Sequence, residues 1–238
     1  MTLDGYASLV VERGEMIAAP PGPRRRTAAQ GKFESSYGYI RDGIAWLSQR
    51  LRVGGLDDPV FYAHELSLEI TSYLYAAGAE VDIWREWSLL SSWGSEVRGD
   101  STEMVAYAVL GGRWDHLRGQ SIDVDGQSLP GAVVWSMVVG ADSPVLPECV
   151  DEVDEAWVRL AVGARCGDHG QTEASLRKLC EFWMMEDEEW DLFEPRSYPC
   201  FDPYLCAAVL LARHGGYQPK HLSAEIRCFL GPGLSSRC

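Results

Sequence analysis

Few residues in this chain have the types and spacing that chemistry demands. His64–Glu65 opens like a zinc-hydrolase helix, in which two histidines four residues apart hold the metal and the glutamate activates water. Position 68 is Leu68, so the second ligand is missing. Cys166 and His169 stand three apart without a second ligand pair, whereas structural zinc takes four convergent ligands. Glu65 and Glu69 lie one helical turn apart. Such a pair can bind a cation or share a proton; it can equally grip a neighbouring helix or face water. The sequence contains no glycine-rich phosphate loop, no dinucleotide fingerprint and no serine nucleophile elbow. No catalytic, cofactor-binding or metal-binding residue is assigned, and the chain reads as a non-enzyme.

The most pronounced chemical feature is the segment EFWMMEDEEWDLFE, residues 181–194, in which seven of 14 residues are acidic and none is basic. Trp183, Met184, Met185, Trp190, Leu192 and Phe193 are interleaved with the acids. Two readings stand side by side. The aromatics are core and the acids a solvated face, or an acidic rim surrounds aromatic anchors and suits a basic partner. A second acidic run, Asp151, Glu152, Asp154 and Glu155, is placed near the first.

The formal net charge is −14 over 238 residues, and it is unevenly spread. Residues 1–60 carry eight Lys or Arg against seven Asp or Glu; residues 61–140 carry four against eleven, and residues 141–238 nine against seventeen. Such a field disfavours nucleic acid, whose phosphates need clustered cations, and speeds encounter with basic proteins. The seven cysteines are odd in number and lack a C-x-x-C pair, so they read as reduced thiols, mostly small core residues. There is no signal-peptide pattern and no run approaching the ~20 apolar residues of a membrane span. A cytoplasmic protein with no membrane partner is expected.

These side chains have to be positioned by helices. Residues 1–30, with AAPPGPRRRTAAQ at 18–30, read as a flexible lead-in. Residues 31–238 read as one all-α domain, a single bundle of about eight to ten antiparallel helices. The first helix runs from Phe33 to Leu51. Asp57–Asp58–Pro59 opens the second, whose apolar face is Tyr62, Leu66, Ile70, Tyr73 and Leu74 and whose stop is Gly78. A third, from about Glu80 to Val97, presents Ile83, Trp87 and Leu90. Shorter helical segments follow at 101–110 and 112–119. The run at 130–140 is apolar all round and reads as a buried helix. Helices from Glu148 to Val162 and from Thr172 to about Met185 precede a Pro-rich break at 195–203. Asp202–Pro203 opens another helix that ends at Gly215–Gly216, and a last one spans 220–229.

FYAHELSLEITSYLYAAGAEVDIWREW, residues 61–87, resembles the helix pair of PoNi-type immunity proteins, the partners of polymorphic nuclease toxins delivered by bacterial secretion systems. Glu65–Leu66 and Leu68–Glu69 match the first part of that pattern, Tyr75 and Gly78 the second, Ile83 and Trp87 the third. LRKLCEFWMMEDEEW, residues 176–190, resembles the family's helix with two tryptophans around an acidic stretch. Where the family has a Gly-Tyr-Trp-x-Phe-Glu helix start, this chain has Phe201-Asp202-Pro203-Tyr204. The resemblance implies a helical protein that binds a cognate toxin and blocks it without catalysis. Glu186, Asp187, Glu188, Glu189 and Asp191, with Asp151, Glu152, Asp154 and Glu155, would then meet the toxin's Lys and Arg, and Trp183 or Trp190 would anchor. The alternatives are a non-catalytic helical adaptor for another basic protein, and an enzyme with a dispersed site.

Overall fold

The computed structural model describes residues 3–17, 30–54, 56–77, 79–119, 122, 128–140, 149, 151–193 and 202–218. Among them are nine α-helices and no strand, as the helical periodicity predicts. They are α1 (Leu3–Glu15), α2 (Gln30–Val53), α3 (Pro59–Ala77), α4 (Val81–Arg98), α5 (Ser101–Leu110), α6 (Leu129–Val139), α7 (Glu152–Cys166), α8 (His169–Phe193) and α9 (Pro203–His214). A short 3-10 turn, Asp115–Gly119, stands where the second half of the 112–119 segment was expected as helix. The 220–229 helix lies outside the described residues.

The helix starts follow from capping chemistry. Asp58 accepts from Phe61 N at 2.9 Å, and Asp202 accepts from Leu205 N at 2.6 Å, so both Asp-Pro signals are true N-termini. Asp100 and Ser128 do the same for α5 and α6. Glycines 54, 99, 140 and 167 follow α2, α4, α6 and α7 at positive φ, where a side chain would be strained. The apolar run of α6 is buried on nearly every face, as expected of a central helix.

Residues 3–15 correct the expectation of a flexible lead-in. Tyr6, Ala7, Val10 and Val11 recur at helical spacing and are buried in the common core. Thirteen residues are too few to fold alone, so this helix exists because α2 and α3 receive its apolar face. Residues 18–29, with Arg24, Arg25 and Arg26, lie outside the described residues.

Two faces also differ from the apolar periodicity. On α4 the inward residues are Trp84, Trp87 and Leu90 with Ser88, Ser91, Ser92, Gly94 and Ser95, and Ile83 is 45% exposed. Hydropathy misses this face because much of it is serine. The hydroxyls are satisfied across helices: Tyr6 Oη and Ser67 Oγ are 3.0 Å apart, Ser91 donates to Ser67 at 3.2 Å, and Thr71 and Ser91 hydroxyls are 3.0 Å apart. Ser92 donates to the Met104 carbonyl at 2.8 Å. Each such bond is worth about 1 kcal/mol net, and the small side chains let α1, α3 and α4 approach closely. On α3, Tyr62 points outward rather than into the core and is 44% exposed.

Candidate functional site

The two acidic runs sit on the antiparallel pair α7–α8, joined by Gly167 and Asp168. Within the first run, Asp151 is the N-cap of α7, accepting from Val153 N at 2.8 Å and Asp154 N at 2.9 Å. Glu152 accepts from Lys178 of α8 at 2.6 Å, and this hydrogen bond and the ammonium charge hold its carboxyl below the usual range. Glu155 pairs with Arg159 one turn on at 2.6 Å. Asp154 is half-buried. Most of this run is therefore engaged in building α7 and fixing it to α8. Asp151, Glu152 and Glu155 are nevertheless exposed, so they remain within reach of a partner.

The Glu152–Lys178 pair ties α7 to α8 at the surface of the hairpin. α8 has 25 residues against fifteen in α7, so its C-terminal stretch runs on past α7's start. Glu186, Asp187, Glu188, Glu189 and Asp191 occupy that end of the helix, and α8 has no basic residue in its last turn. Their side chains, and that of Trp190, lie outside the described residues. Trp183 packs against the core from a half-buried position and so helps to hold α8 in place.

A polar groove of about 370 Å³ opens between α3, α4 and α5, lined by His64, Glu65, Leu68, Arg98, Asp100 and Glu103. Glu103 is the central group. Burial pushes its pKa up, but hydrogen bonds from His64 Nε2 at 3.0 Å and Ser95 Oγ at 2.8 Å, with the charges of His64 and Arg98, outweigh that and hold it low. With Nε2–H donating, His64 Nδ1 lies against Gly94 without a partner, and the ring is 1% exposed. Arg98 donates to Glu65 at 2.8 Å, and Asp100 is used as the α5 cap. Three carboxylates thus face one guanidinium and one imidazole, and each is engaged by a neighbouring group: Glu65 by Arg98, Glu103 by His64 and Ser95, and Asp100 by the start of α5. The arrangement joins three helices.

Of the Glu65–Glu69 pair, Glu65 grips α4 through Arg98, and Glu69 is half-buried with one carboxylate oxygen lacking a hydrogen-bond partner among the described residues. Burial, then the charge of Glu65, raises its pKa to about 7. Cys166 and His169 are both exposed, and no group of three His, Cys, Asp or Glu among the described residues could hold a metal. Of the four described cysteines, Cys180 and Cys206 are buried, as expected of core thiols, and Cys149 and Cys166 are exposed; Cys200, Cys228 and Cys238 lie outside the described residues.

The sequence reading missed an exposed aromatic cluster on α2 and α3. Trp46 meets Tyr62 edge-on with centroids 5.0 Å apart, and Phe61 meets Tyr62 at 5.3 Å. The guanidinium of Arg50 lies 5.6 Å from the Trp46 ring centre and that of Arg98 lies 4.6 Å from the Phe61 ring centre. The signal was available: Trp46 falls between Ile44 and Leu47, out of phase with the inward stripe of α2.

Among the described residues the fold is an all-α helical bundle. No family model, curated protein or solved structure matches the chain. No described helix is long and apolar enough to cross a membrane.

Proposed function

We propose that this protein is an immunity protein that binds a cognate antibacterial toxin with a basic surface, most simply a nuclease, and blocks it without catalysis of its own. The observation that carries the reading is the acidic run at the C-terminal end of α8. A helix C-terminus is the negative end of the dipole, where cations stabilise and carboxylates cost about 0.3–1 kcal/mol. Positions 187 and 191, and 186 and 189, are also one turn apart, so like charges fall on neighbouring positions. By contrast α7 has its acids in the first turn and Arg165 in the last, the arrangement that helps a helix. A sequence that violates in α8 the rule it obeys in α7 suggests a use outside the fold. A basic partner relieves the repulsion on binding, and a nuclease groove, built for phosphates, offers the matching charge. The resemblance at residues 61–87 supports the same reading.

The test is co-expression with the toxin encoded beside this protein. Protection is expected, together with recovery of a stable complex on the tagged chain. Absence of protection would sink the immunity reading. Recovery of a different basic protein in the same experiment would establish the adaptor alternative.

A further inference from the structure

We infer that the protein self-associates into a two-fold dimer through the exposed face of α2, with Trp46 at the dyad. Four large apolar side chains exposed among the described residues fall on this one face: Tyr39, Trp46 and Val53 at helical spacing on α2, and Tyr62 of α3, whose ring meets Trp46. Tyr39, Trp46 and Val53 are spaced by seven, which keeps them on one line along a helix and is the spacing by which helices pack on one another. Tyr39 is 61% and Val53 69% exposed, so nothing described in the chain covers the ends of that line. Its centre is pre-ordered by the Trp46–Tyr62 and Arg50–Trp46 contacts, so little side-chain freedom remains to be lost on association.

The occupant follows from charge and from symmetry. The chain carries −14, yet its first 60 residues are balanced, and α2 contributes Arg41, Arg50 and Arg52 to this region. This face is therefore a poor seat for the basic partner that α8 suits. It is self-complementary instead. When two copies of α2 cross antiparallel at Trp46, positions equally distant from it come opposite each other. Seven residues away, Tyr39 meets Val53 of the second copy. Four residues away, Asp42 meets Arg50 of the second copy, twice by symmetry. Asp42 is exposed and its contact to Arg41 is a long 3.7 Å, which leaves it able to take the incoming guanidinium. An apolar pair and an ion pair placed symmetrically about one central tryptophan form the pattern an isologous contact requires.

Sedimentation equilibrium of the full chain is expected to show a monomer–dimer equilibrium with a Kd of about 1–50 µM, as suits an interface near the lower end of the specific range. Trp46→Ala, Asp42→Arg and Arg50→Asp should each weaken it about tenfold or more. The double variant Asp42→Arg/Arg50→Asp re-forms both ion pairs with their signs exchanged and should return to within about threefold of the parent. Net charge cannot account for that pattern, because the two single reversals shift it in opposite directions and the double leaves it unchanged. Circular dichroism of each variant identifies any that fails to fold, and the double variant then decides.

A chain that stays monomeric to about 200 µM overturns the proposal. So does a dimer indifferent to these substitutions, or one that the double variant does not restore. A different protein captured on this face of a monomeric chain overturns it too. None of these outcomes bears on protection against a toxin, which is read in a separate experiment.

Discussion

Glu69 shows what burial does to a single carboxyl in this fold. Its pKa rises to about 7 through burial first and the charge of Glu65 second, from an ordinary value of 4.5. A carboxyl that keeps its proton longer in the folded state contributes fully below the unfolded value and loses that contribution as pH rises through the folded one. The cost therefore grows between about pH 4.5 and 7 and is complete above that. Glu103 has the opposite sign, since its pKa is lowered, so only a difference between variants isolates Glu69. Glu69→Gln is expected to stabilise the protein by about 1–2 kcal/mol at pH 8 and to change little at pH 4, measured by urea unfolding. Equal effects at both pH values would mean that Glu69 stays hydrated. The spacing of Glu65 and Glu69 was legible in the sequence. Which of them is held in water's reach was not, because Arg98, the residue that binds Glu65, comes from the next helix.

At the scale of elements, what the sequence revealed depended on how local the signal was. The Asp-Pro starts of α3 and α9 and the apolar α6 need only a few neighbouring residues, and all were readable. The helix α1 was not, because its thirteen residues precede a Pro- and Arg-rich stretch and its apolar face means something only against α2 and α3. The inward face of α4 was readable at Trp87 and Leu90 but misjudged at Ile83, because serines and Gly94 make up much of that face where a hydropathy pattern looks for leucine. Two predictions follow from these two elements. Deleting residues 1–17 uncovers the core around Tyr6, Ala7 and Val10 and should cost about 3 kcal/mol or more, read as a fall in the urea midpoint or as insolubility. An unchanged midpoint would return the segment to the status of a tail. A Cβ on Gly94 would overlap the Tyr6 hydroxyl and stand 2.5 Å from His64 Nδ1, so Gly94→Ala should destabilise by about 2–4 kcal/mol despite the gain in helix propensity. If Gly94→Ala is stabilising, the approach of α1, α3 and α4 is looser than the hydroxyl network implies.

For the whole molecule the question is where the surplus of negative charge acts. Composition located it after residue 60, and the fold divides it further. Glu65, Glu152 and Glu155 are already paired with Arg98, Lys178 and Arg159. Glu103 is held by His64 and Ser95. No basic residue lies between positions 179 and 193 to offset the acids at the end of α8. If that end receives the toxin, Glu186→Lys/Glu188→Lys/Glu189→Lys should lower the association rate about tenfold or more at low ionic strength. The deficit should shrink to about threefold or less near 0.5 M salt, where the screening length is only a few ångströms. Reversing Glu152 and Glu155 instead breaks contacts internal to α7 and α8, so it should lower stability while changing the association rate less. The comparison separates long-range attraction from structural damage, because attraction is removed by salt and a misfolded interface is not. An association rate that ignores residues 186–189 at low salt would place the toxin on another face and leave the charge at the end of α8 without a role in recognition.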